Sequence, residues 1–120
     1  MKVGLALGSG SARGISHIGV IKVLQKEGIP VDVVVGTSIG AVIGGYFALY
    51  GSIDGIEKKY LGMTRKDYLS LVDINKLTES ILKGEKIRRF LDKLYDGKSF
   101  SDVKIPFFAV VRRFVLFSRK

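Results

Sequence analysis

Cysteine is absent from this 120-residue chain, so disulfide frameworks and thiolate metal sites are excluded. There is no tryptophan, a single histidine (His17), and one each of glutamine and asparagine, Gln25 and Asn75. That scarcity of labile amides suits a heat-tolerant protein. Long apolar runs are missing as well. The most apolar stretch, residues 40–50, is far short of the ~20 residues that span a bilayer. The opening MKVGLALGSGSARG imitates a secretory signal only as far as Leu7 and is read as a strand instead. Acidic residues are also in deficit, 11 against 20 Lys and Arg, for a net charge of +9. The excess is uneven: residues 1–82 carry nine basic and seven acidic side chains, residues 83–120 eleven and four. A basic end can meet nucleic acid or an anionic membrane surface, but a solvated helix face is the plainer reading.

What is present is a core. A 47% hydrophobic composition in a chain of this length suits one domain, or a piece of a larger one. Residues 3–7 form a short apolar run closed by glycine, the pattern of a buried strand. A small-residue loop, 8–14, precedes a helix expected over 15–27, with His17, Val20, Ile21 and Leu24 on one stripe. Gly28 and Pro30 end it, glycine by supplying a left-handed cap and proline by forbidding continuation. Residues 31–35 read as a second strand, 36–40 as a tight turn, and 39–50 as an apolar helix. A strand–helix–strand unit this short implies a right-handed crossover and two parallel strands. Further helices are expected at 53–60, 64–69, 75–83 and 86–95, and a third strand at 107–111.

Two segments carry chemistry. Gly36-Thr37-Ser38-Ile39-Gly40 is a G-x-S-x-G pattern between a β-branched strand and an apolar helix. A sharp strand-to-helix turn there exposes the serine hydroxyl in strained geometry, and the flanking glycines let the backbone pass. The helix N-terminus favours negative charge developing beside it. The plain alternative is that Thr37 or Ser38 only caps the helix. The second segment is Gly8-Ser9-Gly10-Ser11-Ala12-Arg13-Gly14. Backbone N–H groups in such a loop can hold the oxyanion of a tetrahedral intermediate. Parallel neighbouring strands would bring this loop and Ser38 to one sheet edge. The same loop, with Gly8, Gly10 and Gly14, could belong to a dinucleotide site. That reading needs an acid at the end of the second strand, where the chain has Gly36-Thr37-Ser38. His17 is a chemically reasonable partner for Ser38, though a lone histidine on an apolar stripe is more often a packed core residue.

GSGSARG, ISHIGVIKVLQKEGI and GTSIGAVIGGYFAL, in that order, resemble the patatin-like phospholipase family in its bacterial branch. That family's signature is a glycine-rich loop of the form G-G-G-x-R/K-G or G-S-G-G-A-R-G, a helix, and then G-x-S-x-G. The segment GEKIRRFLDKLYDGKSFSDVKIPFFAV is also similar, carrying the likeness to about Val110. The resemblance implies an α/β fold, a three-layer architecture with helices on both faces of a parallel sheet. It implies a lipid acyl hydrolase that works by a Ser–Asp dyad without metal or cofactor, on phospholipids or other acyl esters. Ser38 matches the nucleophile, and Gly10 and Ser11 match oxyanion positions. Arg13 matches the loop's basic residue, able to hold the loop or an anionic head group. Gly8, Gly14, Gly36 and Gly40 support loop and elbow. Ser11 stands where the family usually has glycine, a substitution that adds strain on the order of 1 kcal/mol if φ there is positive.

The family's late D-G-G/A motif, which carries the dyad aspartate, is not found. The two Asp-Gly pairs, Asp54-Gly55 and Asp96-Gly97, read as turns. The expected organisation is therefore the amino-terminal part of a patatin-like domain over 1–110, incomplete before the dyad aspartate, and a divergent basic-apolar tail over 111–120. Activity from this chain alone should be weak or absent. The alternative from another class is a non-catalytic lipid- or partner-binding fragment. A cytoplasmic location with peripheral contact to anionic membrane, and no nucleic-acid partner, completes the expectation.

Overall fold

The apolar runs of the sequence become strands of one sheet, and the glycines at their ends decide where the chain turns. A computed structural model describes residues 1–10, 14–61, 88–89, 91–111 and 114–118. Strands β1 (Gly4–Leu7), β2 (Val33–Thr37), β3 (Phe107–Val111) and β4 (Phe114–Ser118) lie in the order β1-β2-β3-β4. The first three are mutually parallel, and β4 runs antiparallel to β3. Register sets Leu5, Val34 and Phe107 in one row and Leu7, Gly36 and Ala109 in the next. Because side chains alternate faces along a strand, both rows point to the same side.

Helix α2 (Ile39–Tyr50) covers that side. It is apolar around its whole circumference and buried from Ile39 to Leu49, apart from the partly buried Ala41, as expected of a helix in the core. Gly44 lets it sit close: a Cβ there would lie 2.9 Å from Val34 Cγ1 and 3.2 Å from Leu7 Cδ1. Helix α1 (Ser16–Lys26) lies beside α2 on the same face, with Ile18 and Ile21 buried in the common core. Two successive right-handed crossovers stepping in one direction give this placement. Among the described residues the packed helices α1 and α2 occupy this face, while Ala6 and Val110 on the opposite face are exposed.

The α1 stripe is rotated by one residue from its expected position. Val20 is 50% exposed, while Ile18 is 6% exposed. Residues 18, 21 and 25 face inward, and His17 is turned toward the loop before the helix. The end of α1 is as expected, with Gly28 at φ 66°. Strand β2 starts two residues later than its apolar pattern suggests. Asp32 is occupied in closing the sheet's amino end: its N–H donates to the Val3 carbonyl at 2.8 Å, and its Oδ2 accepts from the Val3 N–H at 2.6 Å.

Helix α3 (Ile56–Leu61) follows a turn at Asp54-Gly55. The helices expected at 64–69 and 75–83 fall outside the described residues. Of the 86–95 helix, residues 88–89 and 91–94 are helical, with Leu94 buried. Residues 114–118, expected within a basic-apolar tail, instead pair with β3 from Val111↔Phe114 to Phe107↔Ser118.

Both Asp-Gly pairs are turns at the far end of α2. Gly55 and Gly97 have φ of 88° and 71°, and Asp96 itself has φ 52°. Lys59 Nζ donates to Asp96 Oδ2 and to the Leu94 carbonyl, each at 2.8 Å, and the Tyr50 hydroxyl also donates to Asp96. The bond from Lys59, then that from Tyr50, holds the Asp96 carboxyl below its ordinary range. Burial, with help from the bond to Asp96, pushes the Tyr50 phenol up.

Candidate active site

Ser38 sits between β2 and α2 with φ 55° and ψ −127°. That backbone region is nearly reserved for glycine, and a serine held in it carries about 1–3 kcal/mol of strain. The first turn of α2 is built on its carbonyl, which accepts from the Ala41 N–H at 2.9 Å and the Val42 N–H at 3.2 Å. The hydroxyl makes no capping hydrogen bond to that turn. A serine present only as a cap would adopt an extended backbone and use its Oγ on the N2 or N3 amide. Ser38 does neither.

Two glycines make the turn physically passable, by space and not by conformation. A Cβ on Gly36 would lie 2.5 Å from the Gly40 carbonyl oxygen and 2.7 Å from the Ala41 nitrogen. A Cβ on Gly40 would lie 2.2 Å from the Leu7 carbonyl oxygen and 2.6 Å from that of Gly8. Thus α2 begins in contact with the end of β1 and the start of the small-residue loop. The far end of the loop returns to the same place: a Cβ on Gly14 would fall 2.0 Å from Ile39 Cγ2. Both ends of the 8–14 loop therefore bracket Ile39 and Gly40, the two residues after Ser38. The parallel pairing Leu7↔Gly36 accounts for this convergence, since it brings both strand ends to one level. Gly8, whose carbonyl oxygen borders Gly40, is exposed, as is Gly10, whereas Ser11 and Arg13 lie outside the described residues.

His17 is the residue whose role the sequence did not reveal. Its Nε2 is 2.7 Å from the Gly8 carbonyl oxygen. A carbonyl only accepts, so Nε2 carries the proton and is the donor. Among the described aspartates, Asp32 and those of the two Asp-Gly pairs lie away from Ser38. Asp32 closes the amino end of the sheet, and Asp54 and Asp96 stand at the Tyr50 end of α2. Ser38 is at the other end of that helix, about 18 Å away at ~1.5 Å per residue. No group of three or more His, Cys, Asp or Glu among the described residues is placed to hold a metal ion.

A parallel α/β sheet with a strained serine elbow beside a glycine-rich loop defines the class of α/β proteins built around a G-x-S-x-G turn. Within it, the family model for patatin-like phospholipases matches residues 5–119, and the chain belongs to that family. Curated relatives include the lysophospholipase nte1 of Emericella nidulans, 39% identical over 109 residues. The corresponding proteins of Saccharomyces cerevisiae and Kluyveromyces lactis are 36% and 39% identical. Each alignment covers 88% of this chain but only 6–7% of the relative, so the chain spans a small part of those proteins' length.

Proposed function

We propose that Ser38 is the nucleophile of a lipid acyl hydrolase acting on phospholipid or lysophospholipid esters. The observation that carries this reading is the Ser38 backbone, strained at φ 55° with its hydroxyl free of any capping duty. In the proposed reaction Ser38 Oγ attacks the acyl carbonyl carbon, and amides of the 8–14 loop, those of Gly10 and Ser11, hold the resulting oxyanion. The serine proton passes to a carboxylate and on to the departing alkoxide as the ester C–O bond breaks. Water, activated by the same carboxylate, then releases the fatty acid from the acyl-serine. Such a dyad needs a carboxylate at the carboxyl edge of the sheet, so Asp32, Asp54 and Asp96 are not that residue.

The test is ester hydrolysis by purified residues 1–120. Slow turnover of p-nitrophenyl esters is expected, abolished by Ser38→Ala, because losing one member of a catalytic unit costs orders of magnitude while oxyanion and binding contributions persist. Turnover unchanged in Ser38→Ala would overturn the assignment. Ser38-dependent turnover at several per second would instead show that residues 1–120 supply their own base.

A further inference from the structure

We infer that His17 is a positioning residue of the oxyanion loop, locking the Gly8–Ser9 peptide from the first turn of α1, and is not the base that serves Ser38. The inference rests on the proposed role of Ser38 and extends it to the element that must stabilise the developing charge.

The loop has a physical problem that His17 answers. Stabilisation of an oxyanion depends on donors being oriented before the charge forms. A segment reading Gly8-Ser9-Gly10 has little side-chain bulk to orient its peptides, and glycine has the largest conformational freedom to lose. Its far end is fixed by packing, since Gly14 abuts Ile39. Its near end is fixed by the hydrogen bond of 2.7 Å from His17 Nε2 to the Gly8 carbonyl. In a planar trans peptide the carbonyl and the following N–H point in opposite directions. Holding the Gly8 oxygen toward α1 therefore fixes the direction of the Ser9 N–H and the entry angle of the chain toward Gly10. The Gly8 oxygen also borders Gly40, where an added Cβ would come within 2.6 Å. One carbonyl thus joins α1, the loop and the first turn of α2.

The same bond removes His17 Nε2 from proton transfer. In the neutral ring the nitrogen that donates to Gly8 has no lone pair to offer, leaving only Nδ1 as an acceptor. A glutamine side chain reaches about as far as His Nε2 and ends in an N–H donor but cannot act as a base. His17→Gln and His17→Leu therefore separate the two roles.

The experiment uses the full chain and a fluorophosphonate probe, with the rate of adduct formation at Ser38 followed at saturating and subsaturating probe. His17→Leu should slow the maximal rate by roughly 10- to 100-fold, less than the about 100- to 1,000-fold that outright removal of an oxyanion donor costs, and leave the half-saturating probe concentration unchanged. His17→Gln should recover most of the rate. Equal loss in the two variants would overturn the inference in favour of a base. Two readouts need no reactivity at all. The wild-type histidine should give the Nε2–H pattern in nitrogen-15 spectra, and amide exchange at residues 8–10 should quicken in His17→Leu but not in His17→Gln. An Nδ1–H pattern, or exchange unchanged in His17→Leu, would overturn the inference. If Ser38 forms no adduct in any variant, the nucleophile assignment fails, while the spectra and exchange still decide what His17 does.

Discussion

Gly40→Ala is expected to destabilise the fold by about 3 kcal/mol or more, at the upper end for overpacking a core position. The added methyl would sit 2.2 Å from the Leu7 carbonyl oxygen and 2.6 Å from that of Gly8. Neither atom is a flexible side-chain end. Both belong to backbone fixed by the β1–β2 ladder and, at Gly8, by His17. Relief requires α2 to lift from the sheet, which would also separate Val34, Leu7 and Phe107 from the helix above them. Gly19 is the control. It lies in α1 with nothing within 4 Å of its would-be Cβ, so Gly19→Ala should stabilise by up to about 1 kcal/mol through helix propensity. Urea unfolding of the two variants measures both effects. A Gly40→Ala protein as stable as wild type would mean that α2 does not approach β1 this closely.

Ser38→Gly should stabilise the protein while abolishing its reaction with acyl-enzyme probes. Two terms compete. Releasing the strained serine backbone returns about 1–3 kcal/mol, and glycine's extra freedom in the unfolded chain costs roughly 0.5–1 kcal/mol. The net expectation is a gain of about 1 kcal/mol. Ser38→Ala retains a Cβ at φ 55° and should show no such gain, although it loses the hydroxyl equally. A position that is better off as glycine for stability, but carries serine, is what a functional constraint at an elbow produces. Equal stability of the glycine and alanine variants would indicate that the elbow is not strained.

The parts of this molecule governed by local pattern were legible in the sequence. The parallel β1–α1–β2 unit, α2 from residue 39 to 50, and the approach of Gly8 and Gly14 to the residues after Ser38 all follow from runs, glycines and right-handed crossover. What escaped was set by partners distant in sequence. The inward face of α1, drawn from the sequence through His17, Val20, Ile21 and Leu24, keeps Ile21 in the structure but takes Ile18 in place of Val20. The structure chooses the isoleucines, because His17 is held by Gly8 and α2 presents an apolar flank to residues 18 and 21. Asp32 looks like part of a strand until it is seen to close the sheet against Val3. Residues 114–118 read as a tail because the sequence Val111-Arg112-Arg113-Phe114 contains no glycine or proline to mark a turn. The role of His17 was the least legible, since no spacing rule connects a helix residue to a carbonyl nine positions earlier.

Whether the elbow serine is a nucleophile is decided by intact-mass analysis after exposure of the chain to a fluorophosphonate. The chain contains several serines, among them Ser9, Ser16, Ser52 and Ser99, but among the described residues only Ser38 combines the strained elbow with the adjoining loop. One adduct per molecule is expected on the wild-type protein and none on Ser38→Ala. An adduct of the same mass persisting on Ser38→Ala, or several adducts spread over exposed serines, would contradict the assignment of Ser38 as nucleophile.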